Sequence, residues 1–395
     1  MPSHDQALAD IDRVMLGKSG ADSVGRFLAR REGYAATPLV SLPATAGQLG
    51  VASIHIKDEG LRLGLGSFKA LGGAYAVVCL AVEAASKEAG REIDVADWQN
   101  RDVRDVASRM TVACATDGNH GRSVAQGAQL VGAQCVIFVH AGVTQERADA
   151  IAAFGARIVR VDGNYDDSVE EASRVAEENG WIVVSDTSWP GYERIPHLVM
   201  QGYTAMLREA VEAMPEPPTH VFIQAGVGGV AASVSAYFAE VYGERRPFVT
   251  VVDPARAACL FESARAGEPV KVAHGQSTVM AMLECYEPSL VAWRVLSRVA
   301  DAFMTIEEDE ALTVMRQLAR PTNGDPVIVA GESGGVGLAA LAQVASERDM
   351  RSAIGLDASS RVFLINTEGA TDPALYERLI GATPEAILAG EAAND

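Results

Sequence analysis

What this chain is short of sets its first limits. Basic residues are few: 33 Lys and Arg stand against 52 Asp and Glu in 395 residues, a net charge of −19. That balance repels a nucleic-acid backbone, so no such partner is expected, while a small anion held in a local nest of backbone amides is still allowed. Cysteine is sparse. Cys79, Cys114, Cys135, Cys259 and Cys285 form no CxxC or Cys/His spacing, which argues against a zinc site and a disulfide scaffold. No uninterrupted apolar run reaches the roughly 18 residues of a spanning segment, so no membrane helix is expected. The opening MPSHDQALADIDRV lacks the basic-then-apolar pattern of a secretory signal. No convincing repeat or low-complexity linker occurs. The expectation is a reduced, cytoplasmic protein without a membrane or nucleic-acid partner.

What is present is apolar substance and strand–helix alternation. Hydrophobic residues make up 48% and charged residues 22% of the chain, enough for two cored lobes. TVACAT (111–116), QCVIFVH (134–140), ARIVRVD (156–162), WIVVSD (181–186), HVFIQAG (220–226), PFVTVVD (247–253) and RVFLINTE (361–368) read as buried strands. TQERADAIAAFG and DDSVEEASRVAEENG between them carry helical spacing, with Gly155 and Gly180 where C-caps are expected. This alternation predicts an α/β fold with mostly parallel sheets covered by helices. The polar stretch 86–105 reads as an exposed excursion. The first thirty residues show no strand and read as an extension or an oligomer contact.

The chemistry concentrates at loops after strands. In GLGSFKALGG (64–73), Lys69 opens a long apolar helix after a glycine-rich turn that follows the strand-like IHIKDE. The positive end of a helix dipole favours the neutral amine, the form that attacks an aldehyde. A solvated lysine at a helix start fits the spacing as well. CATDGNHGRSVA (114–125) places Asp117, Asn119 and His120 at a strand's carboxyl end, where open α/β sheets bind ligands. Asn119 offers a donor and an acceptor to a ring hydroxyl, and a plain capping turn is the competing account. QAGVGGVAASV (224–234) presents successive amides of Gly226, Val227, Gly228 and Gly229 at a helix start, suited to phosphate or simply to a tight turn. Asp186, in SDTSWPGYERIP, ends another expected strand, with Trp189 and Tyr192 behind it. GESGGVG (331–337) and NTEGATDP (366–373) are further glycine-rich turns, and Thr367 offers a hydroxyl to a ring nitrogen without imposing charge. An amine for an aldehyde, amides for a phosphate, an amide side chain for a phenolic oxygen and a hydroxyl for a ring nitrogen together suit pyridoxal 5′-phosphate.

KDE before SFK, then GNHG, then GVGG, in that order, resembles the fold type II pyridoxal-phosphate enzymes. FKALGGAYA, ATDGNHGR, QERADAI, NYDD, SDTSWPGYERIP, MQGY, QAGVGG, GESG and TEGATD are similar to segments of the diaminopropionate ammonia-lyase family. The resemblance implies two open, twisted α/β lobes with the active site in the cleft between them. The large lobe would be residues 1–71 and 188–395, and the small lobe 72–187. It further implies that Lys69 condenses with the cofactor aldehyde, that Gly226, Val227, Gly228 and Gly229 hold the phosphate, and that Asn119 and Thr367 meet the ring oxygen and ring nitrogen. Asp117 resembles the acid–base aspartate tied to the D-isomer, Lys69 would serve the L-isomer, and Asp186 resembles a second pocket aspartate. The implied reaction is β-elimination of 2,3-diaminopropionate to pyruvate and ammonia by a homodimer. Two carboxylates would favour the second ammonium of this amino-acid substrate over the hydroxyl of serine or threonine.

This sequence departs from the family at Gly66, where asparagine is usual, and in TVMAMLECYEPS (278–289), where Met282, Glu284 and Tyr286 intrude. Cys259 and Cys285 stand where some members carry a cysteine pair, and free thiols are expected here. A lyase or dehydratase for serine, threonine or another β-substituted amino acid is the alternative. A non-catalytic cofactor-storing protein is disfavoured by Lys69 with Asp117 and Asp186. A nucleotide-binding dehydrogenase is disfavoured by the missing third glycine of GxGxxG.

Overall fold

A computed structural model describes residues 7–116, 118–322 and 324–390. The described residues contain strands β1 (Leu39–Ser41), β2 (Ser53–Asp58), β3 (Thr111–Ala115), β4 (Gln134–His140), β5 (Arg157–Val161), β6 (Ile182–Val183), β7 (His220–Gln224), β8 (Phe248–Pro254), β9 (Ala302–Ile306) and β10 (Arg361–Asn366). They form two sheets, one in each of two compact units.

The first unit comprises Met1–Lys18, Ala36–Phe68 and Met206–Asp395. Its six strands run in the order β1-β2-β10-β7-β8-β9, and only β1 is antiparallel to its neighbour. β2 alternates as the sequence suggests: Ile54 and Ile56 turn into a core with Leu42, Phe222, Val252, Leu338 and Leu364. Its Lys57 is also buried, 1% exposed, because an ion network receives it. Lys57 Nζ donates to the Thr37 carbonyl and to Glu209 Oε2, both at 2.6 Å. Arg62 bonds Glu59 and Glu209 at 2.6–2.8 Å. β1 and β9 had no strand signal, since β1 has three residues and β9 is a partly exposed edge. Near the start of the described residues, helix Asp10–Leu16 packs on this unit and buries Asp12, whose carboxylate takes Arg294 at 2.7 and 3.0 Å.

The second unit comprises Ser19–Ala35 and Lys69–Ala205, and its parallel sheet runs β5-β4-β3-β6. The smaller lobe suggested by resemblance, 72–187, lies inside this unit, which is wider at both ends. Close helix packing is the reason. A Cβ on Gly202 would stand 2.6 Å from the Leu71 carbonyl, and one on Gly72 2.7 Å from the Val199 carbonyl, so the two helices meet backbone to backbone. Helix Lys69–Ala89 is long and apolar enough, by length and composition, to cross a membrane, but 78% of its apolar window is buried inside the protein, as in a core helix. Residues 86–105 are mostly exposed, as expected, and are held by a few buried anchors. Helix Arg101–Ala107 buries Val103 and Ala107, and Trp98 packs edge-on to Phe27 at 6.0 Å. Gly180 caps helix Tyr165–Asn179 in the left-handed conformation as expected. Helix Gln145–Ala152, in contrast, stops at Ala153, with Gly155 two residues further on.

Candidate active site

Lys69 is the first residue of its helix. The residue before it is anchored in the first unit: the Phe68 N–H donates to the Thr367 carbonyl at 3.0 Å, and Ser67 bridges to Glu368. Lys69 is not left to the helix dipole. Its Nζ lies 2.5 Å from Asp186 Oδ2, with the two side chains 22% and 17% exposed. The amine therefore has a carboxylate partner besides the helix dipole. Burial pushes the Asp186 carboxyl up, but the charge of Lys69 and its hydrogen bond outweigh it and hold Asp186 well below the usual carboxylate range.

Asp186 does not end a strand. β6 has only two residues, and the chain then runs out under side-chain control. The Tyr192 hydroxyl donates to the Val183 carbonyl at 2.7 Å and accepts the Ser185 N–H at 3.0 Å. The Val184 N–H goes to Ala113, and the Val184 carbonyl accepts from His120 Nε2 at 2.9 Å. Trp189 and Tyr192 stack at 4.1 Å, so the aromatic pair braces this loop.

The turn after β3 is built by Thr116, a residue sequence reasoning passed over. Its Oγ1 accepts the N–H groups of Gly118 and Gly121, both at 3.1 Å. A Cβ on Gly121 would meet Thr116 Cγ2 at 2.2 Å, so that glycine serves the turn's own packing. Asn119 begins helix Asn119–Val131 and is 7% exposed. Asp117 lies outside the described residues.

The remaining sequence-predicted groups lie in the first unit. Gly226, Val227 and Gly228 join β7 to helix Gly229–Tyr242, and Gly228 has φ +99°. Two carbonyls of this turn are engaged: Gly226 accepts from Cys259 Sγ at 3.6 Å and Val227 from the Ser289 N–H at 2.9 Å. These contacts orient the peptide planes at a helix N-terminus, the geometry that suits a phosphate. A Cβ on Gly226 would meet Cys285 Sγ at 2.9 Å, so the segment carrying Met282 and Cys285 packs against the turn. Cys259 and Cys285 are free thiols.

Thr367 follows the end of β10 and is buried. Its Oγ1 accepts from Gln224 Nε2 at 2.9 Å and reaches the Ser333 carbonyl only at 3.5 Å, which leaves its proton for a better acceptor such as an unprotonated ring nitrogen. Gln224 is fully buried, and its Nε2 also lies 2.7–3.2 Å from the carbonyls of Ser333, Gly334 and Ile365, which share its two N–H groups with Thr367. It ties the GESGG and TEGATD turns to the end of β7. Ser333 Oγ is 1% exposed and has no hydrogen-bond partner among the described residues, a second hydroxyl suited to a bound polar ring. Gln224 and Ser333 both lie in stretches singled out in the sequence, yet nothing local marked them as a pair. The oriented phosphate turn, the available Thr367 proton and the orphaned Ser333 hydroxyl fit pyridoxal phosphate.

Comparison with known proteins agrees with these features. Residues 30–368 match the family model described as pyridoxal-phosphate dependent enzyme. The chain is 38% identical over 380 residues to the diaminopropionate ammonia-lyase of Escherichia coli, covering 94% of each. A crystal structure of the Escherichia coli diaminopropionate ammonia lyase in complex with an aminoacrylate-PLP azomethine reaction intermediate superposes with a TM-score of 0.86. It is 36% identical, with 96% of this chain and 95% of that one covered. The same enzyme in complex with D-serine gives a TM-score of 0.85 at 36% identity, covering 97% of this chain and 96% of that one.

Proposed function

The chain belongs to the pyridoxal-phosphate dependent enzymes of fold type II, and within them to the diaminopropionate ammonia-lyase family; from that premise we propose that it is a carbon–nitrogen lyase eliminating ammonia from 2,3-diaminopropionate. The observation that carries the proposal is the ionised Asp186 carboxylate 2.5 Å from Lys69 Nζ. A partly buried anion beside the reacting lysine suits a substrate with a second ammonium on its β-carbon, and offers less to the hydroxyl of serine or threonine.

Bound pyridoxal phosphate supplies the electron sink for the substrate's α-carbon. Lys69 is the residue that would join its aldehyde, the amides of Gly226, Val227, Gly228 and Gly229 would hold the phosphate, and Asn119 and Thr367 would meet the ring oxygen and nitrogen. Lys69, released by the incoming amino acid, takes the α-proton of the L-isomer. Asp117 has that role for the D-isomer on the sequence alone. Asp186 holds the β-ammonium, which departs as ammonia without needing a separate general acid. The freed enamine takes up water and yields pyruvate and a second ammonia. A cytoplasmic homodimer completes the reading; free thiols accord with a reducing compartment.

Two measurements test it. Borohydride reduction followed by peptide mass spectrometry should place a pyridoxyl group on Lys69, and Lys69→Ala should abolish it. Steady-state rates on D- and L-diaminopropionate should exceed those on D- and L-serine. An adduct elsewhere removes the assignment of Lys69, and faster turnover of serine removes the substrate.

A further inference from the structure

His120 is the second residue of helix Asn119–Val131, 4% exposed. Its Nε2 lies 2.9 Å from the Val184 carbonyl. A carbonyl only accepts, so Nε2 carries the proton and the neutral ring keeps its lone pair on Nδ1. That Nδ1 is buried, has no hydrogen-bond partner among the described residues, and lies 4.0 Å from Asp186 Oδ2. An unsatisfied buried acceptor is destabilising, so this one calls for a physical reason.

The reason lies in the charge of the group around it. Lys69 reaches Asp186 from helix Lys69–Ala89, Asp186 comes from the loop after β6, and His120 stands behind the carboxylate. With Lys69 an ammonium, Asp186 a carboxylate and His120 neutral, the three sum to zero. When Lys69 gives up a proton to become a nucleophile, Asp186 is left a partly buried anion without a cation. The lone pair of His120 Nδ1 can restore the balance. Burial, the largest influence, and Lys69 both keep the imidazole neutral, while Asp186 favours its charged form; discharging Lys69 removes one of the two opposing influences.

We propose that His120 receives, through Asp186 Oδ2, the proton that Lys69 sheds, and returns it when Lys69 is freed. The Lys69 Nζ–H bond breaks as an Asp186 Oδ2–H bond forms, that bond breaks as an Nδ1–H bond forms once the two side chains close from 4.0 Å, and Asp186 is ionised at both ends, facing an ammonium before and an imidazolium after. The inference rests on Lys69 being the reacting amine. Because His120 acts through Lys69 and Asp186, it is a positioning residue, held by the same Val184 carbonyl that helps fix the Asp186 loop.

The test is nitrogen NMR of full-length protein labelled with ¹⁵N-histidine and stripped of cofactor, with the His120 signal assigned by its loss in His120→Gln. Wild type should show a neutral ring protonated on Nε2 at pH 7. Lys69→Met should move the His120 titration upward and Asp186→Asn downward. A ring protonated on Nδ1, or a titration that neither substitution moves, overturns the proposal. Asp186→Asn alone decides the matter if Lys69→Met does not fold. In the holoenzyme, His120→Gln keeps a donor for Val184 but cannot carry a proton. It should slow capture of pyridoxal phosphate by about tenfold or more while retention at equilibrium is unchanged; weakened retention at an unchanged capture rate would mean a purely structural residue. The NMR result does not depend on lyase activity, and the borohydride adduct on Lys69 reports on the functional reading separately.

Discussion

Replacing Glu209 by Gln tests whether the buried ion network behaves as its geometry requires. Glu209 Oε2 lies 2.6 Å from both Lys57 Nζ and Arg62 Nη2, and Oε1 lies 2.8 Å from Arg62 Nη1. Glutamine has nearly the same volume, so no cavity is created and the effect is electrostatic. Arg62 keeps Glu59 through two bonds of 2.7 Å, so the stranded cation is Lys57, left with the Thr37 carbonyl. Breaking such a buried pair costs about 3–5 kcal/mol. The lower end is expected, because Lys57 can shed its proton. Burial already lowers its pKa, and Glu209 is the first of the influences that oppose the shift.

Removing Glu209 lowers the folded-state value of Lys57 further below its unfolded value. The unfolded chain then binds more protons, and the variant gains stability as pH rises toward the ordinary lysine range. Urea unfolding at pH 7 and pH 9 should show a deficit of about 3 kcal/mol that shrinks at the higher pH. Adding Lys57→Met to Glu209→Gln should recover at least half of it. A deficit under about 1 kcal/mol, or one equal at both pH values, would refute the reasoning.

Three further outcomes are expected. Gly121→Ala forces a methyl against Thr116 Cγ2, where a Cβ would lie 2.2 Å away; it should cost about 1–3 kcal/mol in urea unfolding, and a neutral result would mean that the turn relaxes freely. Burial raises the Asp253 carboxyl from 3.8 to about 8, although it accepts the Phe261 and Leu260 N–H groups. The folded form then holds the proton more tightly than the unfolded one, so this group's stabilisation is lost as pH rises through that window; Asp253→Asn should remove that part of the slope between pH 5 and pH 8, and an unchanged slope would reject it. Cys79, Cys114, Cys135 and Cys259 are buried and Cys285 is half-buried, so a thiol reagent followed by mass spectrometry should label Cys285 first in native protein. Failure of Cys259 and Cys285 to react even in denaturant would show them joined.

Much of the scaffold was legible because element type is a local property. Strands such as QCVIFVH show themselves as buried apolar runs, and β4 spans Gln134–His140 just as that pattern suggests. Residues 86–105 look polar because their buried positions, Ile93, Val95, Trp98 and Val103, are spaced among charges. Errors arose where tertiary partners override local pattern. The run WIVVSD looks like a full strand, yet only Ile182 and Val183 pair, after which Tyr192 and His120 take over the backbone partners. Of the candidate site, Lys69 and the turn around Gly226 stood out by glycine spacing and order. Thr116, Gln224, Ser333 and the unpaired face of His120 did not, because each owes its role to groups brought to it by the fold.

Local pattern is enough to show that strands alternate with helices, that a lysine heads an apolar helix, and that glycine-rich turns follow several strands. These follow from backbone periodicity and from which residues a turn tolerates, and both act over a few neighbours. The folded chain alone brings Lys69 to Asp186, 117 positions along the chain, and lets Gln224 gather carbonyls from two distant turns. Charge pairing and amide bonding depend on distances of about 3 Å, and strand order, which no local spacing encodes, sets those distances.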